Sequence, residues 1–167
     1  LGDSLPQAKI KQWREEVAIW REENPEPWNP EQHDHYHRRF TYRLEEWLDS
    51  GHGECLLRDP KHREALSEIL MKFQDERVIH HAWVIMPNHV HLLFTPKVPL
   101  RDLIKAWKGT SARRIGRGSI WQSNYRDTLI RDPKHFVNAA RYIRRNPKGL
   151  AQNSYTLWEG ERVRAIP

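Results

Sequence analysis

The stretch His80-His81-Ala82-Trp83-Val84-Ile85-Met86-Pro87-Asn88-His89-Val90-His91-Leu92-Leu93-Phe94-Thr95 decides how this chain folds. Two runs rich in β-formers, 80–86 and 89–95, flank the tight connection Pro87-Asn88, so a β-hairpin is predicted. Successive strand side chains point to opposite sides, which places His89 and His91 on one face and Val90, Leu92 and Phe94 on the other. Two imidazoles then converge on one point.

Outward from the hairpin, punctuation and period supply the other elements. Ser4 to Pro6 start a helix that carries Ile10, Trp13, Val17 and Trp20 at helical spacing as far as Asn24-Pro25. Asn29-Pro30 opens a second, with Tyr36, Phe40, Leu44 and Trp47 inward, ending near Ser50-Gly51. Glu54 to Leu57 read as a short strand, and Asp59-Pro60 caps a third helix whose apolar face is Leu66, Ile69, Leu70 and Phe73. After the hairpin, Leu100, Leu103, Ile104, Trp107 and Ile115 form the stripe of a fourth helix, and Ile120 to Ile130 hold a further short strand. Asp132-Pro133 starts a last helix, packed through Phe136, Val137, Ala140 and Ile143 and stopped at Pro147-Lys148-Gly149. The segment from Tyr155 to Pro167 receives no assignment. The predicted fold is α+β with an antiparallel sheet, in one domain spanning 1–167.

Composition excludes several classes. With 38% hydrophobic residues and eight tryptophans, the chain has the bulk for a real core and is not a disordered tail. Cys55 is the single cysteine, so an internal disulfide and a thiolate-rich zinc site are both ruled out, and any metal takes nitrogen and oxygen ligands. No apolar stretch is long enough for a membrane span, and Leu1-Gly2-Asp3-Ser4 has no signal pattern, so a cytoplasmic location with no membrane partner is expected. The net charge of +6 is unevenly spread: residues 101–149 carry 13 Lys+Arg against 3 Asp+Glu, or +10, while the rest carry 15 against 19, or −4. Solvated faces usually mix both signs, so this surplus points to a polyanion such as nucleic acid.

Chemistry follows from spacing. Positions four apart share a helix face, which sets Asn138, Tyr142 and Asn146 in one row able to offer a third ligand and a phenolic nucleophile. Two imidazoles and an amide oxygen suit Mg²⁺ or Mn²⁺ with positions left open for water and a phosphate oxygen. Attack by the Tyr142 oxygen on a phosphodiester gives a covalent phosphotyrosine that keeps the bond energy for rejoining. Arg141, Arg144 and Arg145 surround the tyrosine with positive charge. Lys105, Lys108, Arg113, Arg114 and Arg117 are candidates for phosphate contacts, and Trp121 and Tyr125 for stacking on unpaired bases, while core packing accounts for Trp107 equally well. His33 and His37, one helical turn apart, read as part of a solvated face, and His80 and His81 as a strand end.

The string from Ala82 to Leu93, then Trp121-Gln122, Ile130-Arg131-Asp132 and Tyr142-Ile143-Arg144-Arg145-Asn146-Pro147, resembles the REP-associated tyrosine transposases of the HUH single-tyrosine superfamily. The resemblance covers roughly residues 54–149. It implies a ferredoxin-like antiparallel sheet, a metal-dependent 5′-phosphotyrosine intermediate with a free 3′-OH, and single-stranded, hairpin-forming repetitive DNA as substrate at the bacterial nucleoid. It implies that His89 and His91 are metal ligands, Tyr142 the nucleophile on the helix of residues 132–146, and Asn146 the third ligand, where better-known relatives carry glutamine. Many relatives open with a strand; here the two helices at about 7–48 stand as an insertion. The resemblance implies a monomer or a helix-exchanged homodimer. Two further classes compete: a domesticated, non-catalytic DNA- or RNA-binding protein, and a metal-dependent hydrolase without a covalent intermediate.

Overall fold

The computed structural model describes residues 7–49, 51, 53–122 and 125–167. They fall into two compact units, divided after Glu54.

The first unit contains α1 (Gln7–Glu23), α2 (Pro30–Tyr36), a π-helical turn (His37–Thr41) and α3 (Tyr42–Asp49). Asn29 and Gln32 cap α2 reciprocally, each side chain accepting the other's backbone N–H. Val17, Trp20 and Phe40 form the core, with Trp13, Trp28 and Tyr36 packed against it. The histidines of α2 have aromatic neighbours. Trp20 Nε1 donates to His35 Nδ1 at 3.1 Å, and His33 stands edge-on to Trp28.

The second unit is built on β1 (Val78–Ile85), β2 (Val90–Pro96) and β3 (Thr156–Glu159), in the spatial order β2-β1-β3 and antiparallel throughout. Helices cover both faces, so the α+β class with an antiparallel sheet is what the chain adopts. One face carries Val78, Trp83 and Ile85 of β1 and packs on α4 (Pro60–Met71) and α5 (Leu100–Ile115) through Leu66, Ile69, Leu70, Leu103 and Trp107. The other carries Ala82, Val84 and Leu93 and packs on α6 (Pro133–Arg145) and α7 (Glu161–Arg164) through Phe136, Ala140, Ile143 and Val163. The caps predicted for α4 and α6 are present: Asp59 accepts from Lys61 N, and Asp132 from His135 N.

Two expectations are corrected, and one unassigned segment is placed. Glu54–Leu57 is not a strand; Leu56–Arg58 form a 3₁₀ turn entered through Cys55 at φ 52°. Leu56 and Leu57, adjacent in sequence, both enter the same core, which a strand's alternation forbids. The described residues of 120–130 form no strand either. Ile120 is buried against α5, and the loop is pinned by side chains: Trp121 Nε1 donates to Ser111 Oγ, and Lys108 Nζ to the carbonyl of Gln122. The unassigned C-terminal segment supplies β3 and α7, and Trp158 stacks on its register partner Trp83 at 5.9 Å and 14°.

That segment is held by two arginines. Arg63 is buried, and its guanidinium donates to the carbonyls of Leu57, Arg58 and Asn153 and to Thr156 Oγ1, with burial pulling its pKa below the usual value. Arg144 donates to Glu159 Oε1 and to the carbonyls of Val163 and Ile166.

Candidate active site at the hairpin turn

β2 begins immediately after the turn, where period-two alternation brings His89 and His91 to the α6 face. Their Nε2 atoms lie 3.0 Å apart, with the rings nearly perpendicular. Two nitrogens each about 2.1 Å from one cation, at right angles, are about 3 Å apart, so the separation suits a shared ion. Asn88, 1% exposed, accepts from His89 Nδ1 at 2.8 Å. That bond places the proton on Nδ1 and leaves the Nε2 lone pair of His89 directed at His91. Sequence inspection treated Asn88 as a turn residue only; its place directly before a histidine was the available signal.

α6 brings Tyr142 to this pair. Tyr142 is 37% exposed, and its ring stands edge-on to His91 with centroids 5.2 Å apart. Asn146 is the C-cap of α6, its N–H bonded to the Tyr142 carbonyl, and its Oδ1 is enclosed with no hydrogen-bond partner. A buried carbonyl oxygen without a donor is costly unless something binds it, and a hard cation is such a partner. Among the described residues no group of three or more His, Cys, Asp or Glu side chains is placed to hold a metal ion. Two imidazole nitrogens 3.0 Å apart and an unpartnered amide oxygen are donor types that a hard divalent cation accepts. Asn138, the third member of the row, is exposed.

The sequence-predicted DNA residues separate into two groups. Lys105, Arg113, Arg117 and Arg145 are exposed on or just beyond α5 and α6. Tyr125 is 44% exposed, with Lys108 Nζ over its ring at 5.7 Å. Others are engaged by neighbouring groups of the protein. Burial lowers the pKa of Lys108, which fastens the loop through Gln122; Trp121 is half-buried with its N–H on Ser111; and Arg114 pairs with Glu68. Arg141 Nε donates to the carbonyl of Pro167. Arg144 directs its guanidinium at β3 and α7, and the acceptors come from a segment that sequence reading left unplaced. Trp107 is core, 5% exposed between His80 and Phe94.

The residue pattern of the family described as "Transposase IS200 like" matches residues 55–146. The chain belongs to this family. The match opens on the first residue of the second unit and closes on Asn146, so it spans the histidine pair and the whole tyrosine row of this IS200-like transposase. The chain is also 27% identical over 88 residues to the REP-associated tyrosine transposase of Escherichia coli (strain K12), covering 50% of this chain and 53% of that protein. The alignment thus spans about half the length of that curated relative. No solved structure matches significantly. Among the described residues of this IS200-like transposase, no helix is long and apolar enough to cross a membrane.

Proposed function

We propose that the unit from Cys55 onward nicks and rejoins single-stranded DNA next to a hairpin of repetitive DNA, with Tyr142 acting on the site of its own chain. The observation that carries this is the edge-on approach of Tyr142 to His91, whose Nε2 lies 3.0 Å from that of His89. His89, His91 and Asn146 would hold Mg²⁺ or Mn²⁺, and a cation there supplies Lewis-acid polarisation of a phosphodiester. The Tyr142 oxygen gives its proton to solvent and forms a bond to phosphorus as the bond from phosphorus to O3′ breaks, leaving a 5′-phosphotyrosine and a 3′ oxygen that takes up a proton to become a 3′-OH. Attack by a 3′-OH on the phosphotyrosine reverses the step and rejoins strands. A free phenol ionises near pH 10, so its proton must leave as the bond to phosphorus forms. Lys105, Arg113 and Arg117 hold backbone phosphates and fix the position of the strand without reading its bases. The first unit is an accessory element of the same protein, which works as a monomer at the bacterial nucleoid.

The test is incubation with end-labelled single-stranded hairpin oligonucleotides and Mn²⁺. Wild type is expected to form a denaturant-resistant adduct, and Tyr142→Phe to form none while binding DNA as tightly. Cleavage that survives in Tyr142→Phe would replace this mechanism with direct hydrolysis. DNA binding by wild type with neither cleavage nor adduct would make the protein a non-catalytic binder.

A further inference from the structure

A second concavity opens on the α6 face, at the end of β2 away from the turn. It has a volume of about 320 Å³, a floor that includes Leu93 and Phe136, and a rim that includes His81, Thr95, Arg131 and Arg162. Its construction is unusual in one respect. β1 pairs His80 with Phe94 but Ala82 with Leu93, so His81 is an extra residue, a β-bulge. The bulge turns His81 to the same side as Ala82. His80 points into the opposite core against Trp107, while His81 meets Phe136 edge-on at 5.2 Å and bonds Thr95 Oγ1 at 2.9 Å. Gly160 makes room for it: its N–H bonds the His81 carbonyl at 2.9 Å, and a Cβ there would sit 3.3 Å from that oxygen and 3.2 Å from Trp158.

We propose that this groove is a nucleobase subsite, taking one unstacked base of the single strand on a flank of the scissile linkage; the inference rests on the DNA-nicking function above. A base has two apolar faces and an edge of mixed donors and acceptors, and the groove offers the same mixture. The guanidinium of Arg162 lies 4.2 Å from the Phe136 ring centroid, a flat surface for stacking. Neither Arg131 nor Arg162 is paired with a carboxylate among the described residues, so both remain available to the attached phosphates. Asp132 contributes the opposite charge at the rim, which favours an edge with donors over a bare phosphate, and its cap on His135 N already occupies the helix end. Burial and the Arg162 charge lower the pKa of His81, leaving a neutral ring that both donates and accepts.

Position ties the groove to the chemistry. His91, Leu93 and Thr95 share one face of β2, so the rim at Thr95 is about 13 Å from His91 along the strand. Phe136 is about 9 Å from Tyr142 along α6. Because β2 is the edge strand of the sheet, a DNA strand running along that edge beside α6 reaches both.

The test uses Tyr142→Phe protein, which forms no adduct, and two probes at fixed salt: a dT 12-mer and a 12-mer of abasic sugar–phosphate. Thr95 is exposed, so Thr95→Trp fills the groove without removing a charge or a core residue. It is expected to weaken dT binding about tenfold, the scale of one lost stacked base, and to leave abasic binding unchanged. A 4-thiothymidine 12-mer is expected to photocross-link to a peptide containing His81 or Phe136. Equal effects on both probes, no effect on either, or cross-links confined to α5 would each overturn the subsite. Binding is read without cleavage, so a failed adduct assay on wild type counts against the nicking mechanism separately.

Discussion

His89 and His91 at the turn of the hairpin, and His80 and His81 at its open end, are paired in sequence but differ in space. The first pair is separated by one residue on a regular strand, so both rings reach one face and their Nε2 atoms meet at 3.0 Å. The second pair is adjacent and divided by a bulge, so one ring enters an aromatic core and the other a groove. His80 is 3% exposed, and its Nε2 donates to the Leu70 carbonyl at 3.0 Å while Nδ1 has no partner. Residue type alone does not assign a role to these four side chains; their register on the sheet does.

The largest effect that separates the two ends is expected from His91→Ala. Adduct formation falls about a thousandfold or more, the scale of several kcal/mol of lost transition-state stabilisation, while DNA affinity in a filter-binding assay is unchanged. Asn88→Ala removes the acceptor that orients His89 and is expected to raise the Mn²⁺ concentration for half-maximal activity about 10- to 100-fold, with Asn88→Asp recovering part of it. An unchanged metal dependence would deny Asn88 that positioning role. At the other end, His80→Ala leaves a cavity and an unsatisfied Leu70 carbonyl, so urea denaturation should show a loss of about 2 kcal/mol with metal dependence untouched.

The smallest contrast concerns pH. Burial lowers the pKa of both His80 and His81 below 6.5, so the folded protein keeps them neutral where the unfolded chain would protonate. Their contribution to stability is complete above pH 6.5 and is lost as pH falls from there through the folded pKa values. His80→Phe is expected to flatten that acid limb of the stability profile measured between pH 7 and 5; an unaltered slope would place the titration elsewhere.

Much of this protein was legible in its residues. Asn29-Pro30, Asp59-Pro60 and Asp132-Pro133 mark helix starts because cap and proline chemistry is local, and all three open helices. The hairpin was legible because both runs of 80–95 are rich in β-formers and the tight Pro87-Asn88 connection joins them. Leu56 and Leu57 misled because a two-residue apolar run carries no period, and Trp121 stayed ambiguous because an aromatic in a basic stretch suits stacking and packing alike. The bonds of Arg144 were not legible because its partners lie 15 to 22 residues away, in a segment with no pattern of its own.

Residue order alone therefore settled what depends on neighbours within a few positions: where helices begin, which face of β2 holds two imidazoles, and that Tyr142 and Asn146 lie in one row. Tertiary structure decided what depends on segments far apart meeting: that β3 completes the sheet against β1, that His81 is bulged toward α6, and that Tyr142 stands against His91. Dihedral preferences and side-chain periods are written residue by residue, whereas a contact between strand and helix exists only when the whole core has closed around it.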